Sequence, residues 1–589
     1  MPFIAACKNC EFIVWGKDRN ELVTRQDIHD HLKKHYNNES WFVEQYISPY
    51  EYDFCEKSKG ETRRQIFERQ KKHFYPNTRR NDLPTSLFSF HENKQLLDFL
   101  ERLLIQERDN EKMRTLHDVA YGEVIELAEG TVTLSCTPSR FEEGDVIGYL
   151  ELDHQIKPIG NVLGGGDILT VAVQKTPEFE RGQKLTLCEA EVLIGYDLQL
   201  ELLSRIRNGE LNEPEKAGAK CVLEKVELLQ LAIVKLLNNR DIKGNFCLDE
   251  YQASAVEAIL GLQTGEPMLI IGPPGTGKTR VIGKAVQELW KRGERILVAS
   301  HTNIAVDNVI ELFRTYDVLR VGVPEKIMQH VRPYSLGYKA RTNLGVQLRN
   351  LEEEIRSKKK EIHDSIIRLH ELKELSNSGT ANDFIENKKR EILPRLQFAQ
   401  ALLRKLCESR NQMLTKESER LVRSARIIGS TLIKSQLQPL KSEVFDTVFI
   451  DECSQASISL ALLGMVKAKK WVLVGDHKQL LPIFRCLKET SESFGLSRQL
   501  SAFCYLLQKY PSREKWLGRY YRGNDEIIGF AQKYVYQGKI APAPECKNIK
   551  LSISTYPSNM PFLCPDKPVV FVHAEGAEVI ERSGSIQPC

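Results

Sequence analysis

The sequence predicts an α/β protein built on a parallel sheet, with a small β-rich module inserted ahead of it. From Met268 onward, apolar runs typical of buried strands (MLII, RILVAS, TVFI, WVLV) alternate with segments of helical periodicity. Strands that alternate with helices in this way predict a parallel sheet covered by helices on both faces. Residues 118–196 instead hold short β-rich runs broken by glycines, which predict a small barrel.

The composition excludes several classes of protein. With 589 residues, 41% of them hydrophobic, the chain can bury several cores and is neither disordered nor fibrous. Lys and Arg total 83 and Asp and Glu 79, so any strongly basic surface is local, as in segments 56–80 and 340–426. Such segments either bind polyanions or are solvated helical faces, and charge alone does not decide between them.

The sequence also indicates where the protein works. It contains no apolar stretch long enough for a membrane span and no signal peptide. Its 14 Cys residues are too sparse for a disulfide scaffold. We therefore expect an intracellular protein, in the cytoplasm or the nucleus, with no membrane partner.

The first 50 residues carry Cys and His pairs at metal-binding spacing. Cys7 and Cys10 form a C-x-x-C pair, and His31 and His35 lie four residues apart on a helical pattern, which puts both rings on one face. The set is similar to a Cys2His2 zinc finger and predicts one Zn²⁺, although about twenty residues separate the pairs rather than the usual dozen. The alternative is a structural Cys pair with surface histidines, and His29 is a third candidate ligand.

The rest of the chain is divided by its patterns into four further segments. Charged helical sequence over 51–117 predicts a basic linker and stalk ahead of the barrel, and helical periodicity over 197–245 predicts stalk helices after it. Residues 246–510 predict the parallel-sheet domain, and 511–589 predict part of a second α/β domain.

Residues 340–423 interrupt the alternation of strands and helices with two long helical arms. The polar segment SNSGTAND supplies the turn between them. Apolar residues that recur every seven positions predict an antiparallel coiled coil projecting from the sheet, whose simplest role is that of a rigid arm. These residues are Leu348, Ile355, Ile362 and Leu369 in the first arm and Ile385, Ile392, Ala399, Leu406 and Met413 in the second.

A phosphate site is predicted at the first turn from strand to helix in the sheet domain. GPPGTGKT matches G-x-x-x-x-G-K-T directly after an apolar strand, where backbone N–H groups and the positive end of a helix bind phosphates. Lys278 is expected to neutralise β- and γ-phosphate oxygens, and the Thr279 hydroxyl to bind Mg²⁺. We therefore predict binding of ATP with Mg²⁺ by Gly272, Pro273, Pro274, Gly275, Thr276, Gly277, Lys278 and Thr279.

Polar residues follow two further strands of the same sheet. Asp451 and Glu452 come directly after TVFI, which makes Asp451 the predicted Mg²⁺ ligand and Glu452 the base that activates water. An Asp-Glu pair alone is usually solvated surface, but the apolar strand before it favours the catalytic role. GDHKQLLP, residues 475–482, follows WVLV, and Gln479 is a candidate γ-phosphate sensor.

Together these motifs resemble those of superfamily 1 helicases, in the group that contains the nonsense-mediated mRNA decay helicase, senataxin and the immunoglobulin mu-binding helicase. LDEYQASAVEAIL is similar to the family's Q motif, VASHTNIAVDNV to motif Ia, ARIIGSTL to motif Ic, DECSQA to motif II and GDHKQLLP to motif III. The resemblance covers about residues 118–582 and implies a RecA-like fold for the sheet domain. It also implies that Gln252 contacts adenine and that Thr302, Asn303 and Thr431 contact the nucleic-acid backbone.

LGRYYRGNDEIIGFAQKYVYQGKI resembles motif IV, whose usual core is Gln-Tyr-Arg-Met-His-Pro, but only Tyr521 and Arg522 of that core are kept. The resemblance implies that Tyr521 stacks on adenine and that Arg522 reaches the γ-phosphate. The family continues through motifs V and VI, whereas this sequence stops at Cys589, which implies a truncated second RecA-like domain. We therefore expect the chain alone to bind ATP and to hydrolyse it slowly.

Two functions are compatible with this sequence. The first is an ATP-dependent helicase or translocase that moves 5′ to 3′ on RNA, or on DNA, in RNA surveillance, decay or silencing. The alternative is a truncated isoform that binds ATP and RNA and regulates partners, either the missing carboxyl-terminal helicase segment or RNA-processing proteins. A ring-forming P-loop ATPase is disfavoured, because Gln252 and GDHKQLLP have no place in that class.

Overall fold

The computed structural model divides the chain into two compact units, Met1–Ser89 and Phe90–Cys589. The predicted zinc ligands Cys10, His31 and His35 lie outside the described residues, as does the predicted linker from 51 to 86. The structure describes residues 3–7, 13–16, 42–46, 87, 93–115, 119–128, 131–141, 145–150, 156–164, 168–173, 178–377, 382–487, 491–550, 568–570, 578–580 and 586–588.

The amino-terminal unit contains three short antiparallel strands. They are β1 (Phe3–Cys7), β2 (Ile13–Gly16) and β3 (Phe42–Tyr46), in the order β2-β1-β3. Cys7 is the last residue of β1. Within the described ranges, no cluster of three or more His, Cys, Asp or Glu residues is placed to hold a metal ion. The zinc site therefore stays a prediction.

Six antiparallel strands close into a barrel in the segment for which the sequence predicts one. They are β4 (Val119–Ala128), β5 (Thr131–Ser135), β6 (Val146–Leu150), β7 (Ile156–Gly164), β8 (Ile168–Ala172) and β9 (Lys184–Glu189). The order around the barrel is β4-β5-β8-β7-β6-β9, and the pairing of β9 with β4 closes it. Inward-facing aliphatic side chains, among them Val132, Leu134, Leu169 and Val171, fill the interior with no exposed surface.

Three helices flank the barrel in the sequence: α1 (Asn93–Thr115), α2 (Glu191–Asn208) and α3 (Glu213–Leu223). Arg207 of α2 joins the first two helices by ion pairs to Asp98 and Glu101 of α1, both at 2.6 Å. The side chain of Asn212 accepts a hydrogen bond from the Glu215 N–H and so caps α3.

The helical prediction over 197–245 is wrong for residues 224–245, which are not helical. Groups of the next domain accept hydrogen bonds from backbone N–H groups of this segment. Leu229 N–H donates to Glu266 Oε1 at 2.7 Å, Leu236 N–H to Glu257 Oε1 at 3.0 Å, and Ala232 N–H to the Gly261 carbonyl at 3.0 Å. A helix would use these donors internally, so the contacts with the next domain override the helical periodicity.

A seven-stranded parallel sheet forms the largest part of the second unit, which confirms the predicted α/β class. Its strands are β10 (Pro267–Ile271), β11 (Ile296–Ser300), β12 (Val318–Val321), β13 (Ile427–Thr431), β14 (Phe445–Asp451), β15 (Ala468–Gly475) and β16 (Glu514–Trp516), in the order β12-β13-β11-β14-β15-β10-β16. The helices of this region are α4 (Glu250–Leu260), α5 (Lys278–Lys291), α6 (Asn303–Ile310), α7 (Leu336–Asn377), α8 (Asn382–Ser424), α9 (Ile458–Met465), α10 (Ser491–Leu500) and α11 (Ala502–Lys509).

The strand register brings the motif residues to one edge of the sheet. Ile271 pairs with Gly475 on one side and with Trp516 on the other. Ser300 pairs with Thr431 and with Asp451. Because all strands are parallel, the segments that follow their carboxyl ends meet at this edge.

Helices α7 and α8 form the predicted hairpin and are consecutive in the sequence, with the turn lying outside the described residues. Ile355 and Ile362 are buried between them, as the seven-residue spacing predicts. In the second arm, Leu396, Leu403 and Cys407 are buried although they lie outside the predicted row. Of that row, Ile385 and Ala399 are buried, whereas Ile392, Leu406 and Met413 are only partly so. A coiled coil buries two rows on each helix, and the prediction for the second arm named only one of them.

The boundary predicted at residue 511 is wrong, because β16 is the edge strand of the first sheet and pairs with β10. Its sequence, EKW, contains no apolar run, so only the pairing reveals it. The remaining elements are α12 (Asp525–Phe530), the parallel pair β17 (Arg519–Tyr520) and β18 (Ala541–Pro542), and the antiparallel pair β19 (Glu578–Ile580) and β20 (Ile586–Pro588). Among the helices of the described part, none combines the length and the apolar character needed to cross a bilayer.

Candidate nucleotide-binding site

The loop from β10 to α5 is so tightly folded that its conformation requires glycine at several positions. Gly275 and Gly277 have φ values of 78° and 86°, which favour glycine. A Cβ atom on Gly272 would lie 2.3 Å from Lys278 Cγ, and one on Gly277 would lie 2.5 Å from Gln252 Nε2. Helix α5 begins with Lys278, and no side chain caps its first N–H groups. This is the arrangement that binds phosphate.

Lys278, Asp451 and Glu452 meet beside this loop. Lys278 Nζ lies 3.4 Å from Glu452 Oε1 and donates to the Gly272 carbonyl at 3.0 Å. Glu452 has a φ of 50°, rare for a residue other than glycine, and its Oε2 atom is buried with no hydrogen-bond partner in the described part of the chain. Such strain and such an unpaired buried acceptor are typical of a functional carboxylate.

Asp451 lies at the end of β14 and is 5% exposed. Burial, and then the neighbouring charge of Glu452, raise the pKa of its carboxyl to about 7, although Lys278 acts in the opposite direction. Shifts with this combination of causes are typical of functional sites. Asp451 and Thr279 both offer oxygen atoms, the ligands that Mg²⁺ prefers.

Gln252 is 1% exposed and holds the phosphate loop against α4. Its Nε2 atom donates to the Thr276 carbonyl at 3.0 Å, and its Oε1 atom accepts the Asp249 N–H at 3.3 Å. Asp249 in turn caps α4 through the Gln252 N–H at 2.8 Å. The structure therefore shows that Gln252 supports the phosphate loop, a role separate from the predicted contact with adenine.

Tyr521 and Arg522 reach the same loop from the motif IV segment. The Tyr521 N–H donates to the Gly275 carbonyl at 2.8 Å, and its hydroxyl donates to Asp249 Oδ2 at 2.7 Å. Burial and this carboxylate raise the pKa of Tyr521. Arg522 is exposed, and a Cβ atom on Gly275 would lie 2.6 Å from Arg522 Cβ. Both residues thus lie beside the phosphate loop.

Gln479 lies in the loop after β15, where its Nε2 atom donates to Asp476 Oδ2 at 2.9 Å. Asp476 has no exposed surface. The pairing of Ile271 with Gly475 places the start of this loop next to the phosphate loop. Gln479 therefore belongs to a loop that begins beside the phosphate loop.

The predicted nucleic-acid contacts lie at the other half of the same sheet edge. Thr302 Oγ1 accepts the Ala305 N–H at 3.4 Å and caps α6, and Thr431 Oγ1 accepts the Lys434 N–H at 3.3 Å. Asn303 Oδ1 accepts a hydrogen bond from Arg320, whose Nε atom forms a fully buried ion pair with Asp307 at 2.6 Å. Thr302 and Thr431 thus bind backbone groups at this edge, and Asn303 binds a buried arginine.

These residues fit ATP with Mg²⁺. The ammonium of Lys278 and the uncapped start of α5 suit a phosphate chain, and Thr279 and Asp451 suit the metal ion. The unpaired Oε2 atom of Glu452 is an acceptor placed for a water molecule.

Comparison with known proteins agrees with this geometry. Residues 247–485 match the model of a family described as an AAA domain. The chain is 30% identical to an uncharacterized ATP-dependent helicase of Methanocaldococcus jannaschii, over 57% of this chain and 53% of that protein. It is 28% identical to the regulator of nonsense transcripts 1 of Dictyostelium discoideum, over 60% of this chain and 23% of that protein. These similarities agree with the resemblance of the motifs to those of superfamily 1 helicases.

A further relative, the DNA-binding protein SMUBP-2 of Rattus norvegicus, is 29% identical over 51% of this chain and 28% of its own length. The chain thus spans about half, or less, of the length of these relatives. The matches include proteins named for DNA and proteins named for transcripts. The similarity to these proteins therefore does not choose between the two nucleic acids.

Three residues of this candidate site are not among those predicted from the sequence. Asp249 joins Gln252 to Tyr521, and Asp476 holds Gln479. Their signals were present, since Asp249 opens the Q-motif helix and Asp476 directly follows an apolar strand. Tyr536, whose hydroxyl donates to Asp476, lies in the segment that resembles motif IV but outside the core of that motif.

Proposed function

We propose that this protein is an ATP-dependent helicase or translocase that acts on single-stranded RNA or DNA. The observation that carries the proposal is the meeting of Lys278, Glu452 and Arg522 around one phosphate loop, although they come from three distant parts of the sequence. Such a set can bind a triphosphate, activate water and stabilise the charge that develops on the transferred phosphoryl group.

Each side chain has a distinct role in this proposal. Lys278 binds the β- and γ-phosphates, and Glu452 accepts a proton from the attacking water through its unpaired Oε2 atom. Arg522 and Gln479 contact the γ-phosphate, and Tyr521 stacks on the adenine. Thr279 and Asp451 hold Mg²⁺, which supplies charge neutralisation at the phosphate oxygens.

The coupling to nucleic acid follows from the geometry of the sheet edge. Thr302 follows β11, which pairs with β14, the strand that carries Asp451, and Thr431 ends β13, which lies on the other side of β11. The nucleotide half and the nucleic-acid half of the sheet edge therefore meet at two neighbouring strands, β14 and β11. We expect the backbone of the strand to bind there, with the barrel as a further contact.

The test measures ATP binding, and ATP hydrolysis with and without single-stranded RNA. Lys278→Ala should weaken ATP binding by about 10- to 100-fold, because it removes a charge-assisted contact. Glu452→Gln should keep ATP bound and reduce hydrolysis by about 10²- to 10⁴-fold, because it removes the base. Lys291→Ala, at an exposed lysine of the same helix, is the control. Unchanged ATP affinity in Lys278→Ala would contradict the phosphate site.

The finer parts of the proposal concern the substrate and the zinc module. We propose RNA as the strand, movement from 5′ to 3′, and a role in surveillance, decay or silencing of RNA, supported by the similarity to the regulator of nonsense transcripts 1. A Zn²⁺ ion held by Cys7, Cys10, His31 and His35 would be detected by metal analysis of the full chain, and the pair Cys7→Ala and Cys10→Ala should lose it.

A further inference from the structure

The loop that carries Gln479, residues 476–487, is held by a buried carboxylate at its start. Asp476 has no exposed surface, and its Oδ1 atom accepts the Lys478 N–H at 2.9 Å. Its Oδ2 atom accepts two hydrogen bonds, one from Gln479 Nε2 at 2.9 Å and one from the Tyr536 hydroxyl at 2.6 Å. Both oxygens are therefore fixed, and so is the side chain of Gln479 that depends on one of them.

Asp476 also determines which way the carboxamide of Gln479 faces. An ionised carboxylate only accepts hydrogen bonds, so it can face the Nε2 atom of Gln479 and not the Oε1 atom. One N–H bond of the amide is used in this contact, and the other remains to donate to a phosphate oxygen. A γ-phosphate sensor needs this orientation, because the phosphate also only accepts.

Tyr536 belongs to a different part of the chain from the loop it holds. It follows α12 and lies in the small core of the motif IV segment, with Tyr520, Ile528, Ile540, Ala543 and Cys546. It is 6% exposed, so its hydroxyl has little access to water. The hydrogen bond to Asp476 is thus a link between the motif IV segment and the loop after β15.

The far end of the loop is held from a third side. The Cys486 N–H donates to Oε1 of Glu107 at 2.6 Å, and Glu107 is a 3% exposed residue of α1. Because this end of the loop is hydrogen-bonded to α1, the whole loop cannot move freely when the side chain of Asp476 shifts.

We infer that Tyr536 is a positioning residue, which orients the γ-phosphate sensor Gln479 through Asp476 and so makes recognition of ATP depend on the motif IV segment. The inference rests on the proposed function of Gln479. It follows that removal of the Tyr536 hydroxyl reduces binding of nucleotides with a γ-phosphate and leaves binding of ADP unchanged.

The experiment compares dissociation constants of the full chain for a non-hydrolysable ATP analogue and for ADP. Tyr536→Phe, which removes only the hydroxyl, should weaken the ATP analogue about three- to tenfold and leave ADP unaffected. Tyr534→Phe is the matched control, because Tyr534 lies in the same segment but is 63% exposed. In a Gln479→Ala background, Tyr536→Phe should cause no further loss.

A structural role for Tyr536 gives a different result. Equal weakening of both nucleotides, or an equal loss in the Gln479→Ala background, would overturn the inference. Asp476→Asn provides a second variant, since it keeps the shape of the side chain but places an N–H donor where an acceptor is needed. It should reproduce the selective loss even if Tyr536→Phe folds poorly, and unchanged selectivity in Asp476→Asn would overturn the inference.

The parental chain separates this inference from the proposed function. If it binds neither nucleotide, the proposed function fails and the inference fails with it. If it prefers the ATP analogue over ADP and Tyr536→Phe keeps that preference, only the inference fails.

Discussion

At the scale of single residues, the site depends on positions where one atom more or less changes the geometry. Glu452 adopts a left-handed conformation that costs free energy, and its carboxylate is thereby placed 3.4 Å from Lys278. Gly275 is a second such position, because its φ is positive and two residues of the motif IV segment approach it closely. At both positions, an unusual backbone conformation brings side chains together at the candidate site.

Gly275→Ala should therefore weaken ATP binding and loosen the motif IV segment. The added methyl group would lie 2.6 Å from Arg522 Cβ and 2.7 Å from Tyr520 Cε2, so one of these residues must move. Equilibrium binding of a fluorescent ATP analogue measures the effect. Gly265→Ala is the control, because Gly265 has a φ of 88° but no atom within 4 Å of the added group. It should show the backbone strain of about 1 kcal/mol without loss of binding.

Lys467 gives a prediction for the dependence of stability on pH. It is 5% exposed, and its Nζ atom donates to the Leu440 and Lys441 carbonyls, both at 2.7 Å. Burial lowers its pKa from 10.5 to about 8. Between these pH values the unfolded chain binds a proton that the folded chain does not, so this lysine's contribution to stability rises with pH and is lost as the pH falls through about 8.

The measurement compares the free energy of unfolding of the parental chain with that of Lys467→Met from pH 7 to 10.5. The difference should grow in favour of the parental chain by up to about 3 kcal/mol. Lys441→Met, at an exposed lysine nearby, should show no such growth. A constant difference for Lys467→Met would show that burial does not act on this ammonium.

At the scale of elements, the long hairpin of α7 and α8 is joined to the sheet domain but has its own core. Ile355 and Ile362 of α7 pack with Leu396, Leu403 and Cys407 of α8. None of these residues belongs to the nucleotide site. The stability of the hairpin should therefore be separable from ATP binding.

Ile362→Ala should destabilise the hairpin locally by about 2 to 4 kcal/mol, because Ile362 is 2% exposed and its removal leaves a cavity. Hydrogen exchange of α7 and α8 should speed up, while ATP affinity stays unchanged. Ile367→Ala is the control on the same helix, since Ile367 is 44% exposed. A parallel loss of ATP affinity in Ile362→Ala would show that the hairpin supports the nucleotide site.

At the scale of the whole molecule, the arrangement of strands divides the sheet edge into two halves. Strands β14, β15, β10 and β16 carry or adjoin the nucleotide residues, and β11 and β13 carry the predicted nucleic-acid contacts. The barrel and its flanking helices are attached to the same domain. In the described part of the chain, the candidate nucleotide site therefore adjoins the proposed surface for a nucleic-acid strand.

Binding of single-stranded nucleic acid should weaken steeply with salt and show little sequence preference, because a translocase holds mainly the phosphate backbone. Titrations of oligonucleotides of two unrelated sequences at several salt concentrations measure this. The logarithm of the affinity should fall linearly with the logarithm of the salt concentration. Affinity that does not depend on salt would favour a protein-binding role for this surface.

The sequence by itself predicted the residues of the candidate nucleotide site and their positions at the ends of strands. The phosphate loop, the Asp451-Glu452 pair and Gln479 each follow an apolar strand, and a local pattern suffices to predict such positions because strand, turn and helix are contiguous there. The parallel sheet and the first arm of the coiled coil were also predictable, because their periodicity is local.

Only the tertiary structure decided the contacts between distant segments. Residues 225–238 have helical periodicity but form no helix, because their N–H groups donate to carboxylates of the next domain. Strand β16 joins a sheet that its own sequence does not indicate. Tyr536 reaches Asp476 across 60 residues of sequence, a contact that no local pattern encodes. A hydrogen bond or a strand pairing between distant segments depends on the packing of the whole domain, and single-sequence patterns carry no record of that packing.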